Sequence, residues 1–235
     1  MWKKYKKVII LITILLLPSV FYLLLYTGKH NFSKLPYIGP KEAVLTPDGK
    51  YDTIYHQIPY FEFINQDGAT ITRDDLLGSV YIADFFFATC PTICPKMATN
   101  MGYLQNKFKD RKGLRFISIT VNPEHDTVEV LKEYANRVHA DTKNWDFLTG
   151  DKDKIYEVAF KGFFINAQKD EVAPGGFLHS QYFILIDKKG HIRVIFDGTI
   201  YKEIKDDLTD AIDIIFKEDV VPLKGTKQNE IEQRK

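Results

Sequence analysis

The first strong feature along the chain is a long apolar run near its N-terminus. Residues 8–26 are 19 consecutive uncharged residues, nearly all apolar and interrupted by Pro18. As a helix rising about 1.5 Å per residue, the run reaches roughly 28 Å, which matches the hydrocarbon core of a bilayer. Membrane helices tolerate proline better than soluble helices do. The pattern predicts one transmembrane helix, with residues 1–28 as a cytoplasmic stub and membrane anchor.

A cleaved signal peptide is the alternative interpretation of the same run. The apolar core of a signal peptide is usually about 7–15 residues long and is followed by a small-x-small cleavage site. This run is longer, and no such site follows Leu25. No cysteine lies near it, which excludes a lipidated anchor of the bacterial kind. We therefore interpret the run as a retained single-pass anchor.

Beyond residue 55, short apolar strands alternate with amphipathic helices. Strands are predicted at residues 60–64, 69–72, 80–87, 114–121, 145–148, 181–187 and 191–196, and helices at 94–108, 126–138, 151–160 and 204–215. Asp67-Gly68 and the turn at residues 188–190 each predict an antiparallel hairpin. The run at 80–87 is typical of a central strand buried on both faces. The alternation indicates an α/β fold, with a mixed sheet flanked by helices.

The same patterns divide the chain into four regions. After the anchor, residues 29–55 contain several prolines and glycines and are predicted to be a stalk leading into the domain. Residues 56–216 are predicted to form one folded domain, and residues 217–235 a charged, irregular tail. We find no internal repeat.

Charge is distributed unevenly between these regions. The chain has 32 Lys and Arg against 31 Asp and Glu, a formal net charge of +1, so no basic field is available for nucleic acid. Residues 1–41 nevertheless contain seven lysines and no acid, which leaves 25 positive and 31 negative charges in the remainder. The lysine-rich end of a membrane span stays in the cytoplasm. We therefore expect the domain to lie on the periplasmic or extracytoplasmic side of the cytoplasmic (inner) membrane.

Candidate chemistry centres on the only two cysteines, Cys90 and Cys94. They follow a predicted buried strand and open a predicted helix. Backbone N–H groups and the helix dipole at a helix N-terminus stabilise a thiolate. Two thiolates four residues apart can hold one soft metal ion or close into a disulfide.

Four interpretations of this pair remain open on the residues alone. A structural disulfide closes too short a loop to constrain the unfolded chain strongly. A redox dithiol usually has the spacing C-x-x-C, and this pair has one more residue. The proline and threonine expected before a peroxidatic cysteine are missing. A metal site requires a third donor besides the two sulfurs.

The chain has six histidines that could supply this donor. Four are interpreted as solvated surface residues: His30, His56, His139 and His191. His125 lies in a loop at the carboxyl end of a predicted strand and is the second candidate. His179 follows the flexible loop around Gly175-Gly176, and a loop histidine taken alone is by default a surface residue.

Several segments together resemble the Sco/SenC family of copper-binding, thioredoxin-fold proteins. The first is residues 85–97, FFFATCPTICPKM, which contains both cysteines. Residues 121–127 (VNPEHDT), residues 145–150 (WDFLTG) and His179-Ser180 before a strand follow in the same order. The resemblance covers about residues 58–216. C-x-x-x-C-P alone would be a weak signal, whereas the ordered set is specific.

The resemblance implies a thioredoxin-like fold and a copper site, Cu(I) or Cu(II), formed by Cys90, Cys94 and His179. It also implies a role in supplying the dinuclear copper site of cytochrome c oxidase subunit II, with another copper chaperone as donor. A thiol–disulfide oxidoreductase, with Cys90 and Cys94 redox-active and keeping the oxidase cysteines reduced, is the alternative. A copper or redox sensor is a third hypothesis.

Two positions depart from the family pattern. Thr92 and Asn122 stand where many members have acidic residues, which removes negative charge near the site. Asp84 and Asp126 are candidates for supplying local charge. The competing roles are a strand-edge carboxylate for Asp84 and, as we favour for Asp126, a helix cap.

Met97 and Met101 could suggest a methionine-rich copper site. Their spacing with Leu104 and Phe108 is that of one helix face. The pattern favours packing in the core over metal binding.

Overall fold

The computed structural model describes residues 5–6, 13–21, 34–165, 168–169, 177–178 and 180–218. Residues 1–33 and 34–235 form two compact units. In the first unit, residues 13–21 are helical. Among the described residues, no helix is both long and apolar enough to cross a membrane. Much of the predicted anchor, at residues 1–4, 7–12 and 22–28, lies outside the described residues.

The second unit is organised around one seven-stranded mixed sheet. The strands in chain order are β1 Lys41–Leu45, β2 Tyr51–Tyr55, β3 Glu62–Asn65, β4 Thr70–Thr72, β5 Val80–Phe86, β6 Leu114–Thr120, β7 Trp145–Thr149, β8 Gln168–Lys169, β9 Phe177–Leu178, β10 Tyr182–Ile186 and β11 Ile192–Asp197. The large sheet has the order β11-β10-β5-β6-β7-β3-β4. The pairs β1–β2 and β8–β9 form two separate two-stranded sheets.

The centre of the large sheet consists of three parallel strands. β5 pairs with β6, and β6 with β7, while β10 and β3 flank them in antiparallel orientation. Every residue of β5 and of β7 is buried, so both faces of the sheet are covered at this point, as is typical of parallel strands. The carboxyl ends of β5 and β6 therefore meet at one edge of the sheet.

The helices connect and cover these strands. They are α1 Arg73–Leu76, α2 Cys94–Lys107, α3 Val128–Arg137, α4 Lys152–Glu157, α5 Tyr201–Glu203 and α6 Thr209–Glu218, with π-helical turns at Val158–Gly162 and Ile204–Leu208. α2 links β5 to β6, and α3 links β6 to β7. α3 packs on β7 and β3, and the second π-helical turn packs on α2 and β11.

The predicted α/β class with a mixed sheet is confirmed. Both predicted hairpins form, as β3–β4 and β10–β11. α4 begins at a side-chain cap, since Asp151 accepts a hydrogen bond from the Lys154 N–H at 3.0 Å. The apolar face predicted for α2 is buried, with Met97 and Met101 at 1% and 0% exposure.

Three local features differ from the sequence-based expectations. The predicted stalk contains the β1–β2 hairpin, which turns around Gly49 at φ +79°. The helix predicted through residue 160 is α-helical only to Glu157 and continues as a π-helical turn. α6 extends to Glu218, two residues into the predicted tail, and residues 219–235 lie outside the described part.

A buried arginine joins the start of this unit to α6. Arg193 in β11 is 2% exposed, and its guanidinium donates to the carbonyl of Leu35 at 2.6 Å and to the carboxylate of Glu218 at 2.9 Å. It also pairs with Asp187 at 3.3 Å and lies over the ring of Tyr37. The segment before β1 is thus attached to α6 through this cation and through the Leu35 N–H, which donates directly to Glu218 at 3.0 Å.

Candidate metal centre

Cys90 and Cys94 lie at the carboxyl end of the central strand β5. The Cys90 N–H donates to the Phe87 carbonyl at 3.1 Å, which forms a turn directly after the strand. Cys94 is the first residue of α2, and Pro95 occupies the first turn, where a missing N–H costs no helical hydrogen bond. The predicted position at a strand end and helix start is confirmed.

Neither cysteine is in a disulfide, and both are buried, with Cys90 at 7% and Cys94 at 2% exposure. The pKa of the Cys94 thiol is raised, first because its side chain is hydrogen-bonded with that of Cys90 and second because it is buried. A hydrogen bond with the backbone of Phe87 acts in the opposite direction and lowers it. The proton of the Cys94 thiol is therefore held more tightly than that of an ordinary cysteine.

A cavity of about 570 Å³ opens beside Cys90. Its walls come from the end of β5, the first turns of α2 and the end of α3, and its described lining residues include Cys90 but not Cys94. Arg137 lies at this cavity, donates to the Ala88 carbonyl at 2.8 Å and stacks over Tyr134. Of the two cysteines, Cys90 is thus the one that lines the cavity.

The segment before the cysteines is held by a buried carboxylate. Asp126 is 0% exposed and accepts hydrogen bonds from the Ala88 N–H at 2.9 Å and the Thr120 hydroxyl. The helix cap of α3 is Thr127, whose hydroxyl accepts from the Val130 N–H. The interpretation of Asp126 as the cap was therefore wrong, because its side chain turns inward to pair with groups on β6 and after β5.

The second polar group beneath the site is Asp84 in β5. The Ser118 hydroxyl donates to it at 2.5 Å and in turn accepts from the Trp145 indole N–H at 2.9 Å. Burial raises the pKa of the Asp84 carboxyl to about 7, although the Ser118 hydrogen bond acts to lower it. The strand-edge role considered for Asp84 was wrong, since β5 has neighbours on both sides.

The described histidines occupy different environments. His191 is buried at 9%, and its Nδ1 is 2.8 Å from the His56 carbonyl, so its interpretation as a surface residue was wrong. His56 is half-buried, with Nε2 2.8 Å from the Gly162 carbonyl. His139 is exposed. His125 is half-exposed, and its Nδ1 lies 2.7 Å from Asp126.

The predicted third ligand, His179, lies outside the described residues. Among the residues that are described, no three His, Cys, Asp or Glu side chains cluster closely enough to hold a metal ion. The structure therefore brings Cys90 and Cys94 together, and the complete set with His179 stays a prediction.

The chain matches one family model over most of its second unit. Residues 50–213 match the model described as SCO1/SenC. The chain is 36% identical over 165 residues to the SCO1 protein homolog of Bacillus subtilis (strain 168), which spans 68% of this chain and 85% of that protein. It is 34% identical over 134 residues to the SCO2-like protein of Rickettsia felis. That alignment covers 55% of this chain and 64% of the Rickettsia protein.

Solved structures share the fold. A SCO1/SenC family lipoprotein from Bacillus anthracis is 33% identical, with a TM-score of 0.61 over 68% of this chain and 95% of the other. BsSco is a Sco family cytochrome c oxidase assembly protein in which a disulfide switch was identified. It is 33% identical, with a TM-score of 0.60 over 68% of this chain and 94% of the other. Arabidopsis thaliana ScoI, crystallised with copper bound, is 25% identical, with a TM-score of 0.57 over 66% of this chain and 97% of the other.

These matches cover the sheet, the helices and the loop that carries both cysteines. They agree with the thioredoxin-like arrangement of the strands. The chain belongs to the SCO1/SenC family.

Proposed function

We propose that the chain is a membrane-anchored copper chaperone, which holds copper through Cys90, Cys94 and His179 and helps to metallate a respiratory cytochrome c oxidase. The observation that carries this proposal is the pair of reduced cysteines whose side chains are joined by a hydrogen bond at the start of α2. Thiolate sulfur selects Cu(I), and imidazole suits copper in either oxidation state. Two such sulfurs and one imidazole form a donor set suited to copper.

Copper is the cargo in this proposal, and the protein supplies ligands and controls their protons. Cys94 must lose a proton that both the hydrogen bond with Cys90 and burial favour. Copper uptake therefore releases protons and weakens in acid. With three protein ligands, a further position stays open for a ligand of the recipient, so that the ion can pass by stepwise ligand exchange.

Family membership supports an oxidase as the recipient of the copper. BsSco belongs to a family of cytochrome c oxidase assembly proteins, and the Arabidopsis and Bradyrhizobium ScoI structures contain copper. We propose the copper site of oxidase subunit II as the recipient and another copper chaperone as the donor. The anchor at residues 8–26 would place the second unit outside the cytoplasmic membrane.

A Cu(I) titration of the reduced full chain in detergent tests the ligand set. We expect one tight equivalent, lost in each of the variants Cys90→Ala, Cys94→Ala and His179→Ala. His139→Ala is the matched control and should bind as the wild type does. Unchanged affinity in His179→Ala would overturn the ligand set, and absence of tight binding in the wild type would overturn the chaperone function.

A thiol–disulfide oxidoreductase is the second candidate, favoured by the cavity that reaches Cys90 and not Cys94. In that reaction the Cys90 thiolate attacks a substrate disulfide and forms a mixed disulfide. Cys94 then displaces the substrate thiol, which leaves the substrate reduced and the Cys90–Cys94 pair oxidised. An external thiol reductant must restore the pair.

The Cys90–Cys94 reduction potential distinguishes the two candidates. A strongly reducing potential, together with exchange on an oxidised oxidase peptide that Cys90→Ala abolishes, would favour the oxidoreductase. Tight copper binding without measurable exchange would favour the chaperone.

A further inference from the structure

His125 is the one described histidine whose ring contacts a carboxylate. Its Nδ1 lies 2.7 Å from Asp126 Oδ1. Asp126 Oδ2 accepts from the Ala88 N–H and the Thr120 hydroxyl, which leaves Oδ1 for the His125 ring. A neutral imidazole that donates to this oxygen carries its proton on Nδ1 and keeps a lone pair on Nε2.

This arrangement is the one that proteins use to orient a metal-binding imidazole. A ligating histidine usually donates its other ring N–H to a carboxylate or a carbonyl, which fixes the tautomer and increases the basicity of the ligand. Here the carboxylate is wholly buried and held by two further donors, whereas the His125 side chain is 50% exposed. The acceptor is rigid, and the free nitrogen is accessible to a metal ion.

The position of His125 relates it to the thiols. Asp126 is the single group between the His125 ring and the Ala88 amide, and Ala88 is two residues before Cys90. Both segments follow neighbouring parallel strands, since Phe86 pairs with Thr120 at the end of β5 and β6. His125 therefore lies at the edge of the sheet that carries Cys90 and Cys94.

The other described histidines lack these properties. His56 and His191 contact backbone carbonyls, and His139 is exposed without a carboxylate contact among the described residues. His125 also does not complete a closed site with the cysteines, because no three-residue cluster of possible ligands exists in the described part. His125 would therefore contribute a single protein ligand, separate from the two thiols.

We propose that His125 Nε2 is an accessory copper ligand, which binds the ion outside the thiol site and serves as a station on its way to or from Cys90 and Cys94. This inference rests on the proposed copper function for its biological meaning, but the binding itself does not require that function. Imidazole nitrogen binds Cu(II) as well as Cu(I), so Cu(II) is a suitable probe.

The test removes the proposed thiol site first. The full chain carrying Cys90→Ala, Cys94→Ala and His179→Ala is titrated with Cu(II) in detergent and followed by electron paramagnetic resonance. We expect a residual site with nitrogen coupling, weakened about ten-fold by adding His125→Ala, because a ligand supported by a carboxylate is lost. Adding His139→Ala instead should leave the affinity unchanged. Equal affinity in these two variants would overturn the proposal.

A second measurement needs no substitution. In the metal-free wild type, nitrogen-15 chemical shifts of histidine at alkaline pH report the tautomer. We expect His125 to be protonated on Nδ1, and protonation on Nε2 would overturn the proposal. If instead the wild type binds copper no more tightly than the triple variant, the proposed thiol site fails while the His125 result stands by itself.

Discussion

The backbone N–H of Ala88 donates to the buried carboxylate of Asp126 at 2.9 Å, across 38 positions of the sequence. This hydrogen bond joins the segment that leads to Cys90 with the segment that leads to α3. Because the same carboxylate accepts from Thr120 and contacts His125, one side chain fixes the relative position of two loops at the candidate site.

Removal of this carboxylate should destabilise the fold. Asp126→Ala leaves the buried Ala88 N–H and Thr120 hydroxyl without their acceptor, so we expect a loss of about 3 kcal/mol in the free energy of unfolding. Asp126→Asn keeps one acceptor oxygen and should lose less. Urea unfolding followed by circular dichroism measures both, with the exposed Asp110→Ala as control. A loss in Asp126→Ala no larger than in the control would contradict the role of Asp126.

The two thiols should differ in reactivity. Cys94 is buried and its thiol pKa is raised, whereas Cys90 faces the cavity. Alkylation of the metal-free, reduced chain with iodoacetamide should modify Cys90 about ten-fold faster than Cys94, because the thiolate is the reacting species. Fragmentation mass spectrometry assigns the modified residue. Equal rates at the two residues would show that the proton is not held on Cys94.

The carboxyl of Asp84 should make stability depend on pH. Its pKa is about 7 in the fold, against an ordinary value of 3.8. Below pH 4 the group is protonated in both the folded and the unfolded chain. As pH rises from 4 to 7, Asp84 ionises in the unfolded chain before it does so in the fold. The free energy of unfolding therefore falls by up to roughly 4 kcal/mol, with no further fall above pH 7.

Asp84→Asn removes this titration, and the variant should gain stability over the wild type between pH 4 and 7. Urea unfolding at pH 4, 5.5, 7 and 8.5 measures the difference. Ser118→Ala removes the hydrogen bond that lowers the Asp84 pKa, so its pH-dependent loss should continue above pH 7. The prediction would be wrong if the free energies of unfolding of Asp84→Asn and the wild type differed by the same amount at every pH.

Arg193 offers a comparison of buried and exposed ion pairs. Arg193→Ala leaves Asp187 and Glu218 without their buried cation, and we expect a loss of about 3 kcal/mol or more. The matched control is Arg111→Ala, whose pair with Asp213 is about one-third exposed and should contribute much less. Thermal unfolding of both variants measures the difference. Similar losses of stability in the two variants would mean that the contacts of Arg193 with Leu35 and Glu218 do not stabilise the fold.

Local pattern was sufficient to predict the central elements. β5 is apolar except for Asp84, β6 consists mostly of apolar and β-branched residues, and α2 repeats apolar residues at helical spacing, so their burial follows from the residues themselves. The placement of Cys90 and Cys94 at a strand end follows from the same pattern.

The β1–β2 hairpin was not predicted because it has no buried face. Nearly all of its residues are exposed, so the alternation of apolar and polar residues that identifies a half-buried strand is missing. The Asp48-Gly49 turn between residues 41–45 and 51–55 was the available signal.

The roles of Asp126 and His191 depend on partners distant in sequence. Asp126 and Thr127 both fit a helix cap by local pattern, and only the position of Ala88 decides which of them turns inward. His191 contacts the carbonyl of His56, 135 residues away. Polar residues with such partners cannot be distinguished from surface residues by composition or periodicity.

Asp84, Ser118 and Trp145 form a line of hydrogen-bonded side chains, and this line bears on the register of the strands. It crosses three adjacent parallel strands, and Asp84 is paired directly with Ser118 in the β5–β6 ladder. A slip of β5 by one residue would turn every side chain to the opposite face and bury Asp84 without its hydroxyl partner. An unpartnered buried carboxyl is costly, so this polar line selects against misaligned pairing of the strand that positions Cys90 and Cys94.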